Sequence, residues 1–362
     1  MSGVTSVFDN YAAELDILPC DDLEMKENVV RYVSNHKFPV CENEQIMDFN
    51  LSVDCCCKYV CMDDARALNN VLREYPHFAT VKPPHFLASR EYSLITVNKK
   101  NVCVGRGAES TCFLAKNNKS NELVVIKLIT TTFWDVKRML DECAMQTLAS
   151  ITLKDGCRAP EVKGFMVLEK NSKLRELCFP YLIVQEFCGI LPGSTSSLSI
   201  RTALEEQIKG NPVLSERQWE DVSLQLLRGA DQLAQVPIHH LDIKHENLLL
   251  QMVGDEINVV FIDFGLSIGT WSSENGTIFP LNPGMDPSMY PQIAPELFQL
   301  SRPLSTSDLF SCAFVIENIA NINGNAELAQ AMVEYRSMHP AERPGFLYVY
   351  YKVDDHCLYF HC

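Results

Sequence analysis

The sequence predicts an α+β protein on three observations. Leu123-Val124-Val125-Ile126-Lys127-Leu128 is an apolar, β-branched strand with a single charge inside it. Two further apolar runs, 248–250 and 257–262, flank a short hydrophilic turn and read as a hairpin. Residues 133–151 and 215–237 carry apolar side chains at helical spacing.

Taken in order, residues 1–84 hold none of the chemistry-bearing motifs and one helical-looking piece near 63–73, so they form an N-terminal extension of unassigned role. Val104-Gly105-Arg106-Gly107-Ala108-Glu109-Ser110-Thr111-Cys112-Phe113 lies between apolar runs. It suits either an ordinary β-turn or a glycine-rich hairpin that folds its backbone over phosphates. Lys127, in the following strand, needs a partner, because an unpaired charge is costly to bury. Within 133–151, Val136, Met139, Leu140, Cys143 and Leu148 make the apolar stripe and Glu142 stands beside it. Glu142 is the first choice as that partner. Asp141, which points elsewhere on the helix, and Glu122, which precedes the strand, are the alternatives. A polar Pro/Gly/Ser stretch at 191–197 leads to a long helix with a capping-box start at Ser215 and Gln218. Its stripe of Trp219, Val222, Leu226 and Leu233 reads as core.

The chemistry is concentrated between residues 238 and 265, IHHLDIKHENLLL and then INVVFIDFG. Asp242 sits five residues before Asn247, in a loop leading into the hairpin, and Asp263 follows the hairpin's second strand. Phosphoryl transfer from a nucleotide needs metal ligands on the phosphate oxygens and a carboxylate that orients the attacking hydroxyl. Asn247 and Asp263 are hard oxygen donors suited to Mg²⁺, which leaves Asp242 for the hydroxyl. This constellation resembles the protein kinase family: His240-Leu241-Asp242…Asn247 meets its H-x-D-x-x-x-x-N loop and Asp263-Phe264-Gly265 its D-F-G. Either motif alone recurs by chance, but the two in order across a predicted hairpin are specific. Ala294-Pro295-Glu296 matches the family's A-P-E.

The resemblance implies a two-lobed fold with a β-rich small lobe at 85–188 and a mainly helical, shortened large lobe at 189–362. It implies ATP and Mg²⁺ as cofactors and protein substrates as acceptors. Gly105, Arg106, Gly107, Ser110 and Cys112 would cradle the nucleotide, although Ser110 replaces the family's third glycine and Cys112 the valine that covers the base. Lys127 would grip the phosphates, positioned by Glu142. Gln185, Glu186 and Cys188 fall at the hinge beside the adenine, with Gln185 as gatekeeper, or Val184 if the alignment slips by one residue. Asp242 takes the base position, and Lys244 the lysine that contacts the transferred phosphate in serine/threonine-directed members. Asn247 and Asp263 are the implied metal ligands. Asp308 looks like the buried aspartate that anchors the catalytic loop, and Arg343 like the arginine that pairs with Glu296.

Leu241 stands where most regulated members carry the arginine that receives an activation-loop phosphate. Switching by such a phosphate is therefore not expected, although 266–291 offers Ser267, Thr270, Ser272, Ser273 and Thr277. That leucine, the loop V-G-R-G-x-x-S and the short stretch after Glu296 resemble the conserved protein kinases encoded by herpesviruses. Membership would imply a virion-associated serine/threonine kinase of the tegument or host nucleus, acting on viral and host proteins; a divergent cellular kinase is the alternative. Ser110, Cys112, Leu241 and the short lobe also admit a pseudokinase that keeps the fold as a scaffold, but none of these departures touches the metal and phosphate ligands. A small-molecule phosphotransferase of the aminoglycoside type shares the H-x-D logic but does not account for A-P-E and Arg343.

Composition bounds the remaining classes. A chain of 362 residues with 47 % hydrophobic content can bury a large core. No apolar run approaches the ~20 residues that span a bilayer. The acidic N-terminus lacks a secretory signal, and Ser2 stands where myristoylation needs glycine, so a soluble intracellular protein is expected. The fifteen cysteines read as small buried hydrophobes rather than a disulfide framework. In Cys55-Cys56-Cys57…Cys61 the adjacent spacing does not fit a zinc site, and reduced thiols are the simpler reading. A net charge of −15 argues against a general nucleic-acid binder, so neither nucleic acid nor membrane is expected as a partner.

Overall fold

In the computed structural model of the protein, the described residues are 92–97, 100–107, 110–129, 136–167, 181–190, 197–236, 238–254, 256–269, 287–299 and 303–358. The expected extension at 1–84, its cysteine cluster and helical piece, most of the stretch 191–197, and Thr270, Ser272, Ser273 and Thr277 lie outside them. Strands in chain order are β1 (Tyr92–Leu94), β2 (Thr96–Val97), β3 (Lys100–Asn101), β4 (Cys103–Arg106), β5 (Ser110–Asn117), β6 (Leu123–Ile129), β7 (Cys157–Arg158), β8 (Val162–Val167), β9 (Tyr181–Glu186), β10 (Ile238–His239), β11 (Leu248–Val253), β12 (Glu256–Phe261) and β13 (Ile268–Gly269). Helices are α1 (Val136–Thr152), α2 (Ile200–Ile208), α3 (Glu216–Gln235), α4 (Glu296–Gln299), α5 (Ser307–Ile322), α6 (Ala326–Ser337) and α7 (Phe346–Leu358). The α+β class expected from the sequence is the one observed. Among the described residues no helix is long and apolar enough to cross a membrane.

The chain divides into two compact units, with residues 148–160 and nearly all of the chain from 190 onward in the second. The first unit is built on an antiparallel sheet in the order β1-β5-β6-β9-β8, with β4 also paired to β5. Its central strand β6 is apolar on both faces and buried along almost its whole length, as a strand covered on both sides must be. Register places Lys127 opposite Cys112 on one side and Ile183 on the other, and Val125 opposite Gln185. Directly opposed residues share a sheet face, so Lys127 and Gln185 project on the same side. On α1, Met139, Glu142, Cys143 and Gln146 are buried, at the helical spacing that lines one face.

The second unit is mainly helical. The capping box forms as expected: Ser215 Oγ accepts from Gln218 N and the Gln218 side chain accepts from Ser215 N. Trp219, Val222, Leu226 and Leu233 are buried, and α3 packs against β12, α5 and α7. Gly229 permits the contact with β12, because a Cβ there would stand 2.5 Å from the Phe261 ring. The β11–β12 hairpin is antiparallel, with Leu248 opposite Phe261. Its second strand ends at Phe261 and not at Ile262, although the Ile262 N–H still bonds to the carbonyl of Asn247, the residue before β11, at 3.0 Å. Cys103, Cys143, Cys157, Cys188 and Cys312 are buried thiols, and burial pushes the Cys157 thiol up to about 12, the inert condition of a packing cysteine.

The Glu296 carboxylate receives both guanidinium nitrogens of Arg343, at 2.8 and 3.0 Å, and the two side chains are almost fully buried. Ser307 Oγ donates to the same carboxylate at 2.8 Å. Removing one member of a buried pair strands the other charge, at a cost of about 3–5 kcal/mol. Arg343→Leu should therefore lower unfolding stability in urea by about that much; a loss below about 1 kcal/mol would show that the pair does not hold this region.

Candidate active site

Each half of the candidate site is assembled within one unit. In the second unit the catalytic loop leaves β10 at His240. Asp308, near the start of α5, accepts the backbone N–H of His240 at 2.7 Å and of Leu241 at 2.9 Å. Leu241 takes a left-handed backbone conformation, φ 63°, which is strained for a branched residue. Its side chain is nonetheless buried, packed with Ile293, Ala294, Leu297 and Phe310. Leu241 is thus an apolar anchor. His240 is fully buried: its Nδ1 accepts the Asp242 N–H at 3.3 Å, which leaves Nε2 to donate to the Ile262 carbonyl at 3.2 Å. Its ring lies 4.7 Å from that of Phe264, so one imidazole links the loop to the D-F-G turn. Ser267 Oγ closes the arrangement by donating to the His240 carbonyl at 3.1 Å.

Two side chains converge on Asp242. The Lys244 Nζ stands 2.6 Å from Asp242 Oδ2, and the Asn247 amide nitrogen donates to Oδ2 at 2.8 Å and to the Asp242 carbonyl at 2.9 Å. Burial holds the Asp242 carboxyl above its ordinary range; the Lys244 ammonium opposes that, and the Asp263 charge adds to it. The influence of Asp263 marks the two carboxylates as electrostatic neighbours. Asp263 itself sits at φ 66° and ψ 73°, a left-handed turn between β12 and the short 3-10 helix Phe264–Leu266. Because the Asn247 nitrogen is engaged with Asp242, its carbonyl oxygen is the atom left to face a cation. A neutral oxygen and a carboxylate fit Mg²⁺, which is characteristically held by one or two protein ligands and completed by substrate phosphates.

In the first unit Lys127 and Glu142 meet as foreseen, with Nζ 2.5 Å from Oε1 and both side chains buried. Gln185 is buried on the same sheet face and its Oε1 accepts from Gln146 Nε2 at 2.9 Å. Sequence reasoning missed Gln146, although its place four residues after Glu142 on the same helix face was a usable signal. Gln185 and Glu186 are the last two residues of β9, so the irregular connection expected at 185–188 begins only at Phe187. Glu186 is tied to the sheet edge, its backbone N–H and a carboxylate oxygen both bonded to the backbone of Glu161. Cys188 is buried.

The glycine-rich segment is a β4–β5 hairpin with a bulge between Cys103 and Gly105, its tip closed by Gly107 N–H to the Ser110 carbonyl at 2.9 Å. Arg106 is exposed, Ser110 buried and Cys112 half-buried opposite Gly105 and Lys127. Neither glycine is required by its own hairpin: a Cβ on Gly105 would meet Cys112 at an ordinary 3.8 Å, and one on Gly107 would meet Ser110 at 4.0 Å. Bare backbone with no internal need for it is what close approach by an outside ligand calls for.

Residues 98–336 match the protein kinase domain family. The chain belongs to that family. Over 213 residues it is 24 % identical to the CBL-interacting serine/threonine-protein kinase 8 of Arabidopsis thaliana, a match covering 59 % of this chain and 41 % of that protein. Over 167 residues it is 28 % identical to mitogen-activated protein kinase 2 of the same plant, covering 45 % and 38 %. The chain thus spans less than half the length of either relative. Protein kinases as a family use ATP with a divalent cation and act on proteins, and the first of these relatives is by name a serine/threonine kinase.

If Asp242 must be ionised to receive a proton, its raised pKa sets the acid limb of the kcat/KM profile. Activity should be present above that pKa and fall as pH drops through it, at a higher pH than an ordinary carboxylate would give. Lys244→Ala removes the chief opposing influence and should move the limb to still higher pH. A limb that stays in place or moves down would remove Asp242 from this role.

Proposed function

We propose that this kinase domain is catalytically active and transfers the γ-phosphoryl group of ATP to serine and threonine hydroxyls of proteins. The observation that carries the proposal is the hydrogen-bonded set around Asp242, with Lys244 and Asn247 both on its Oδ2. Asp242 orients the acceptor hydroxyl and takes its proton as the new bond to the γ-phosphorus forms and the bond to the β–γ bridging oxygen breaks, releasing ADP. Lys244 offsets charge on the transferred group from beside Asp242. Lys127, positioned by Glu142, meets the nucleotide phosphates, with Gly105, Arg106, Gly107, Ser110 and Cys112 as their cover and Gln185, Glu186 and Cys188 near the base. Mg²⁺ bound by Asn247 and Asp263 would neutralise the phosphate oxygens. The departures that admit a pseudokinase do not remove any of these groups.

The narrower reading is that the chain is of the herpesvirus-encoded kind. Leu241 and the V-G-R-G-x-x-S loop support it, and it carries a place in the virion tegument or host nucleus and substrates among viral and host proteins. Phosphorylation of purified virion proteins in preference to generic peptides tests it; indifference between the two favours a divergent cellular kinase.

Mass spectrometry of peptide mixtures incubated with the protein and Mg²⁺-ATP should detect phosphoserine and phosphothreonine. Asp263→Asn should abolish the transfer with the fold retained by circular dichroism. Lys127→Met should reduce it by on the order of a hundredfold, and Glu142→Gln by less, since the lysine keeps its charge. Wild-type transfer by Asp263→Asn would overturn the metal-site assignment and, with it, the proposal.

Since Leu241 cannot receive a phosphate, activity should also not depend on phosphorylation of 266–291. Protein made in a kinase-free host, shown unmodified by intact mass, should turn over at the rate of phosphorylated protein. Inactivity until one of these hydroxyls is modified would contradict this.

A further inference from the structure

We infer that Arg336 is a positioning residue for the catalytic loop, acting through the chain at Pro291 and two phenylalanines of α5. The inference rests on the kinase reading. Arg336 lies in the last turn of α6, remote in sequence from every motif of the site. One guanidinium nitrogen, Nη2, donates to the Pro291 carbonyl at 2.9 Å, and Nη1 is hydrogen-bonded to the Glu317 carboxylate. Its Cζ stands 5.0 Å from the centre of the Phe310 ring and 4.8 Å from that of Phe314. A planar guanidinium can stack on aromatic rings while its edge donates hydrogen bonds, which an ammonium cannot do at the same time.

What those rings touch gives the contact its reach. Phe310 packs with Leu241, the residue before Asp242, and with Ile293, Ala294 and Leu297. Phe314 meets His245 edge-on, ring centres 5.5 Å apart, three residues after Asp242. The two side chains of the loop that flank Asp242 and Lys244 are therefore seated on the pair of rings that Arg336 covers. Arg343 covers Phe310 as well, 4.9 Å from its centre, while bound to Glu296. Ser311 Oγ donates to the carbonyl of Gln292 at 2.7 Å. The chain at 291–296 is thus held at three successive points by α5, α6 and Arg343, and none of them requires a phosphate. Arg336 joins this restraint to the rings beneath the catalytic loop.

The test compares Arg336→Lys with Glu317→Gln. The lysine keeps the charge and can still pair with Glu317, but it cannot stack on both rings and bridge to Pro291. The glutamine weakens the tie between α5 and α6 and leaves Arg336 free to hold Pro291. Arg336→Lys should lower kcat on the order of tenfold with the KM for ATP unchanged, and hydrogen–deuterium exchange should quicken in 238–250 and 287–299. Glu317→Gln should show neither effect. Wild-type kcat in Arg336→Lys, unchanged exchange in both segments, or equal losses in the two variants with parallel falls in Tm would each overturn the inference. Should the wild-type protein show no phosphoryl transfer, the kinase reading fails by itself, and the exchange comparison still decides whether Arg336 restrains the loop.

Discussion

The two hydrogen bonds from the backbone of His240 and Leu241 to the buried Asp308 carboxylate are the constraint on which the rest of the site depends. A left-handed conformation at a leucine costs roughly 1–2 kcal/mol and would relax in an unrestrained loop. Asp308 offsets that cost by satisfying two N–H groups that the turn leaves without a strand partner, and a carboxylate acceptor makes each bond stronger than a neutral one would be. Once Leu241 is fixed, the next residue can face only one way. Asp242 then meets Lys244 and Asn247, and His240 is left to span from the loop to Ile262 and Phe264.

Three charged pairs among the described residues follow a common rule. Lys127 with Glu142, Glu296 with Arg343 and Asp242 with Lys244 are each paired inside one unit, and the first two pairs are nearly sealed from water. Such pairs add little net stability over apolar replacements, because desolvation consumes most of the Coulomb gain. What they supply is position, since a buried charge tolerates few geometries. The raised pKa of Asp242 belongs to the same balance, with burial outweighing a lysine at hydrogen-bond distance. A carboxylate in that condition binds a proton more readily than one in water, which suits the proton acceptor proposed above.

Apolar anchoring complements the charges. In the protein kinase family a charged residue before the catalytic aspartate lets a modification reach the loop; here Leu241 is packed with Ile293, Ala294, Leu297 and Phe310. Packing of this kind cannot be switched by adding a phosphate. The same preference shows where cysteines serve as core residues with thiols raised by burial.

The grouping of Asp242, Asn247 and Asp263 was legible in the sequence because it depends on spacing along one short hairpin, which the chain fixes locally. Glu142 was legible because a helix repeats every 3.6 residues and its phase could be counted from Met139 and Cys143. The capping box at Ser215 is local in the same sense. Gln146, Ser267 and Arg336 were not found, since each acts on a partner chosen by packing across tens of residues: Gln185, the His240 carbonyl and Pro291. The persistence of β9 through Glu186 escaped for a related reason, because the Glu186 backbone N–H finds the Glu161 carbonyl across tens of residues. The sequence by itself determined which groups stand at the family's motif positions. Only the tertiary structure decided how they are held, because the holding residues share no period or spacing with the groups they hold and meet them only when helices and strands pack.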